Sequence, residues 1–138
     1  MARWRWPIVA VSLACLSAVG CREAGAFDLT GAWAAKADQC SKVFTRTGRA
    51  RQVGFTTFSN AHGGGFIVEV NRLRSAFGGC TIKARKEDSQ TINLVVACAK
   101  GVMPSSVQFF LKIVDDNTIK RVFPGVDEVG VEYHRCKS

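Results

Sequence analysis

Cys80-Thr81-Ile82-Lys83-Ala84-Arg85-Lys86-Glu87 leads into Asp88-Ser89-Gln90, and Thr91-Ile92-Asn93-Leu94-Val95-Val96-Ala97-Cys98 leads out. Both arms alternate. Cys80, Ile82 and Ala84 share one face of the first, and Ile92, Leu94, Val96 and Cys98 share one face of the second. A period of two marks a strand, and the polar triplet between the arms marks a turn. Folding the hairpin about Ser89 sets Ile82 against Val96, Ala84 against Leu94 and Cys80 against Cys98. Opposed residues of an antiparallel pair have Cα atoms ~4.5–5.5 Å apart, within the reach of a disulfide. The stretch therefore predicts a Cys80–Cys98 bond in an all-β domain.

Working outward, the N-terminus reads as a leader. Arg3 and Arg5 precede an apolar run from Ile8 to Gly20. That run is shorter than the ~20 residues a spanning helix needs, but it suits a signal-peptide core. Ala24-Gly25-Ala26 is a small-x-small cleavage site, so residues 1–26 are expected to be a signal peptide and 27–138 a single β domain. Ala18-Val19-Gly20-Cys21 supports a second reading, in which Cys21 is lipidated and anchors the domain to a membrane. Both readings export the chain to the periplasm, the envelope or the medium. Of the six Cys, Cys15 lies in the leader and Cys21 is removed or lipidated. Four remain, an even number in a small exported domain, which reads as two disulfides. With Cys80 and Cys98 paired, Cys40 and Cys136 form the second. No Cys-x-x-Cys supports zinc. Cleavage after Ala26 removes three Arg and one Glu, lowering the net charge from +8 to +6. A basic balance of that size favours anionic partners or simply keeps the domain soluble.

Further strands follow the same period. The sequence predicts a first strand over 27–35 with Phe27, Leu29, Gly31 and Trp33 on one face. A short helical turn is expected near Cys40 to Phe44, and a strand at Val53 to Thr57. Phe66, Val68 and Val70 are expected inward, then a turn at Asn71-Arg72, then Leu73, Ser75 and Phe77 inward again. After a loop from Lys100 to Ser105, three inward sets follow: Val107, Phe109, Leu111 and Ile113; Ile119, Arg121 and Phe123; and Val129, Val131, Tyr133 and Arg135. Eight or nine short antiparallel strands with tight turns predict a small closed barrel, with a β-sandwich as the alternative.

Asp28-Leu29-Thr30-Gly31-Ala32-Trp33 resembles the Gly-x-Trp opening of lipocalins and the wider calycin group. The resemblance implies a calycin-like barrel in which Trp33 packs against an Arg of the last strand, Arg135, with Arg121 as second candidate. Residues 27–138 also resemble small exported proteins of proteobacteria to which no activity is attached.

Catalytic groups are not evident. No Gly-x-Ser-x-Gly occurs, the Cys are expected to be oxidised, and the pairs Glu87-Asp88 and Asp115-Asp116 fall at hairpin tips, the wrong environment for a raised carboxyl pKa. His62 sits on a glycine-rich loop, and His134 shares a strand face with Glu132 but lacks a third metal ligand. No enzyme activity, cofactor or metal is expected. Arg72, Arg74, Lys83 and Arg85 are candidates for one outward anion-binding patch. With the aromatics Trp33, Phe66, Phe77 and Phe109 assigned inward, nucleic acid lacks a stacking platform. The sequence thus points to a binding module for a small apolar ligand or an envelope protein, or else to a structural or stress-related envelope protein, with a hydrolase using His62 or His134 as the remaining alternative.

Overall fold

The computed structural model describes residues 25–137. Residues 1–24, which hold Cys21 and most of the expected leader, lie outside them. Eight strands close into an antiparallel barrel in the order β1-β10-β9-β8-β7-β6-β5-β4, and β2 and β3 form a separate two-stranded sheet. The strands are β1 Gly31–Ala34, β2 Phe44–Thr47, β3 Gln52–Phe55, β4 Gly65–Val68, β5 Arg72–Ser75, β6 Gly78–Asp88, β7 Thr91–Lys100, β8 Met103–Asp115, β9 Thr118–Phe123 and β10 Val126–Cys136. Among the described residues one short α-helix, α1 (Cys40–Val43), precedes β2. No helix among the described residues is long and apolar enough to cross a membrane.

The inward alternation builds the core: Trp33, Val68, Leu73, Ile92, Leu94, Val96, Leu111 and Ile119 interdigitate with Leu29 inside the barrel. A second cluster lies on the outside. Ala32, Ala34 and Ile67 face away from the barrel and are covered by Val43 and Phe44 of the α1–β2 excursion. The two-stranded sheet is therefore a lid on the outer face of β1 and β4. Cys40–Cys136 (Cα–Cα 5.6 Å) ties this lid to the last strand, and Cys80–Cys98 (Cα–Cα 4.2 Å) staples β6 to β7.

The central hairpin keeps the expected register from Cys80↔Cys98 to Ile82↔Val96, then slips by one. A β-bulge at Lys83 sets Ala84 against Val95 and Arg85 against Leu94. A one-residue slip exchanges the two faces of a strand. Ala84 is therefore exposed, and Arg85 and Glu87 turn toward the barrel end.

Other expectations change at the turns. The β4–β5 turn is Val70-Asn71, closed by Glu69 N–H donating to Arg72 O (2.8 Å), so Val70 is exposed rather than inward. Phe77 lies in the β5–β6 turn and is 87% exposed, not part of the interior. Pro104 belongs to β8, opposite Ala99, rather than to a loop. The first strand begins only at Gly31, because Phe27 to Thr30 crosses the barrel end instead of joining the sheet.

Candidate functional site

Strand direction gives the barrel two unlike ends. At one end lie the N-terminal segment and the β6–β7 and β8–β9 turns; at the other lie the β5–β6, β7–β8 and β9–β10 turns. The first end is a plugged floor. Trp33 is fully buried, and its indole N–H donates to Leu29 O at 2.9 Å. Arg135, opposite Trp33 in the β1–β10 ladder, lays its guanidinium 4.3 Å from the Trp33 ring centre. The same guanidinium donates to Thr30 O (2.7 Å), Asp28 O (2.6 Å) and Asp116 O (3.2 Å). One side chain thus joins the N-terminal segment, the β8–β9 turn and β10.

A second clasp lies beside it. Arg85 and Glu87, turned to this end by the bulge, form an ion pair at 2.8 Å. Phe27 N–H donates to Glu87 Oε1 (2.9 Å), and Phe27 O accepts from Arg85. The Phe27 amide and then the Arg85 charge hold the Glu87 carboxyl below its usual range. Asp28 is lowered as well, first by the Thr30 hydroxyl and amide and then by Arg135 and Arg85. These groups hold the N-terminal segment across the barrel end, and outside it lies an open depression bordered by Asp28, Glu87, Asp116 and Arg135.

The opposite end is a mouth. A cavity of about 160 Å³ opens there, lined by Gly65, Ser75 and a set of apolar side chains that includes Phe66, Leu94 and Phe109. Tyr133 meets Phe66 edge-on, with ring centres 4.8 Å apart. Arg121 also lines the cavity, with its guanidinium 4.3 Å from the centre of the Phe109 ring and 5.1 Å from that of Phe123. Around the mouth the turns expose large apolar groups: Phe77, Val102 (98% exposed), Met103, Phe123 and Val126.

The four cations assigned to one patch are not brought together. Arg85 has gone to the floor. Arg74 is committed to Glu69 (3.0 Å) and to Val53 O (2.8 Å) on the lid. Arg72 lies across Gly79, where a side chain would meet its guanidinium at 3.1 Å, and Lys83 is exposed at the bulge. His62 lies in a 3₁₀ turn and His134 on β10, and no group of three metal-ligating side chains occurs among the described residues. What the sequence reading missed was the mouth. Its signal was Arg121, a charge at an inward position between Ile119 and Phe123.

No family model, curated protein or solved structure matches the chain.

Proposed function

We propose that this protein is an exported binding module that takes a small, apolar-bodied ligand into the open end of its barrel. The observation that carries the reading is the asymmetry of the two ends. One is closed by buried Trp33 and the Arg135 hydrogen bonds, while the other holds a cavity of about 160 Å³ walled by apolar side chains. A concave apolar site with a few polar groups is the usual form of a small-molecule site. A cavity of ~150 Å³ holds a benzene-sized molecule, so the ligand is a single ring or a short branched chain rather than a long-chain lipid.

Two disulfides favour an oxidising compartment, in keeping with export. The position of Phe27 favours processing after Ala26. Cleavage there would turn the amide that donates to Glu87 into an α-ammonium, exchanging a hydrogen bond for an ion pair at the same carboxylate. The intact mass of protein isolated from its native host tests this: a chain beginning at Phe27 supports it, and a lipidated chain beginning at Cys21 replaces it with the anchored form. Ligand-induced changes in the NMR signals of Phe66, Leu94 and Tyr133, screened over small aromatic and branched aliphatic compounds, test the binding role. A screen that leaves those signals unmoved would refute it. The alternative, docking of an envelope protein, draws on the exposed apolar rim. It predicts that Phe77→Ser with Val102→Ser abolishes capture of one defined envelope protein while leaving small-molecule binding intact.

A further inference from the structure

We propose that the ligand is a small organic monocarboxylic acid, its carboxylate held by Arg121 and its apolar body lodged among Phe66, Leu94 and Phe109. This inference rests on the binding reading above and adds the charge and chemical class of the ligand.

Arg121 lies on β9, opposite Leu111 of β8 and Val131 of β10, two residues from buried Ile119 and on the same face. It therefore projects into the barrel. Its guanidinium packs over Phe109 and Phe123, which leaves the N–H donors in its own plane free for an acceptor. Among the described residues, Arg49, Arg51 and Arg72 stand exposed to water, and the remaining arginines are already employed. Arg46, Arg74, Arg85 and Arg135 each donate to an oxygen of the protein. Arg121 takes part in neither ion pair and in no side-chain hydrogen bond among the described residues.

A guanidinium drawn partly out of water is costly, and an apolar residue of similar volume serves a barrel core as well or better. Packing alone therefore does not account for Arg at this position. An acceptor arriving from outside does. A carboxylate matches the planar fork of Arg with two parallel hydrogen bonds. A single guanidinium also balances a monoanion, whereas a phosphate dianion would keep an uncompensated charge in an apolar cavity. Tyr133 also lines the cavity. The apolar turns at the mouth give an amphipathic acid a surface to meet before it enters.

Two isosteric pairs test the inference by calorimetry and NMR on the folded, disulfide-bonded domain: benzoate against benzamide, and isovalerate against isovaleramide. Each acid is expected to bind at least about tenfold more tightly than its amide, as a charge-assisted bidentate contact provides. Arg121→Met is expected to erase that preference, and Arg121→Lys to restore part of it. Affinity for the acids, but not the amides, is expected to fall with added salt in the wild-type protein, a readout that needs no variant. Equal binding of acid and amide, or a preference that survives Arg121→Met and is indifferent to salt, overturns the carboxylate assignment and leaves the binding role standing. Arg121 is then a side chain that merely covers Phe109. Failure of all four compounds to move the cavity signals overturns both.

Discussion

Removing the disulfides one at a time should cost unequal amounts, in an order fixed by topology. Cys80–Cys98 closes a separation of 18 residues, and Cys40–Cys136 one of 96. On the chain-entropy account, a cross-link stabilises by restricting the unfolded chain. The loop-length relation then gives about 3.2 kcal/mol for the shorter loop and about 4.7 kcal/mol for the longer at 25 °C. The variants are Cys80→Ala/Cys98→Ala and Cys40→Ala/Cys136→Ala, doubles that leave no stray thiol. Both pairs pack against an apolar cluster, Cys40 and Cys136 against the outer one and Cys80 and Cys98 against the barrel core, so loop length sets the order. Urea unfolding under oxidising conditions, followed by Trp33 fluorescence, should give the lower midpoint for the Cys40/Cys136 variant by about 1–2 kcal/mol of stability. Trp33 is the only Trp in residues 27–138, so the signal reports the floor directly. A midpoint unchanged in either variant, or the reverse order, would refute the reasoning.

Gly65→Ala should cost about 3 kcal/mol or more, because a Cβ there would stand 2.2 Å from the carbonyl oxygen of Trp33 and 3.0 Å from the Phe44 ring; a loss under about 0.5 kcal/mol in the same urea assay would contradict that packing. Arg135→Met should cost about 2–4 kcal/mol and shift Trp33 emission to the red, since it removes three charge-assisted hydrogen bonds and the cover of the indole; an unshifted spectrum would show that the plug is not what keeps water out. Glu87→Gln should destabilise the protein at neutral pH. Since the folded-state pKa of Glu87 lies below its usual 4.5, the gap between wild type and variant should be full above that value. It should shrink as the pH drops below about 4.5 and vanish once the pH has fallen through the lower folded value. A gap that widens in acid would reverse the assigned sign.

Much of this fold is written in the alternation of its strands. Ile92, Leu94, Val96, Leu111 and Ile119 are buried as their spacing requires, and the facing of Cys80 and Cys98 follows from the same phase. The bulge at Lys83 was not legible for a physical reason. Beyond Ile82 the arm reads Lys-Ala-Arg-Lys-Glu, and without large apolar residues nothing in it fixes which side turns inward. Only the structure reveals that Arg85 and Glu87 clasp Phe27 instead of joining Arg72 on a surface patch. The lid formed by β2 and β3 left a fainter trace. Ala32, Ala34 and Ile67 are apolar on the face opposite the core, the mark of strands covered on both sides. The inward phase of Arg121 was visible from Ile119 and Phe123, but the space beside it depends on how the walls meet, which alternation does not encode.

The seam between β1 and β10 joins Ala32 to Cys136, near opposite ends of the chain. Until β10 has arrived, β1 can pair with β4 but has no partner on its other side. The growing chain is then an open sheet with two raw edges, the condition most prone to joining a neighbouring molecule. Closure waits for β10, and so does the bond from Cys40 to Cys136. Folding of this domain thus depends on the arrival of β10. A truncation that trims β10 would strand the molecule as a sticky half-barrel rather than shorten it harmlessly.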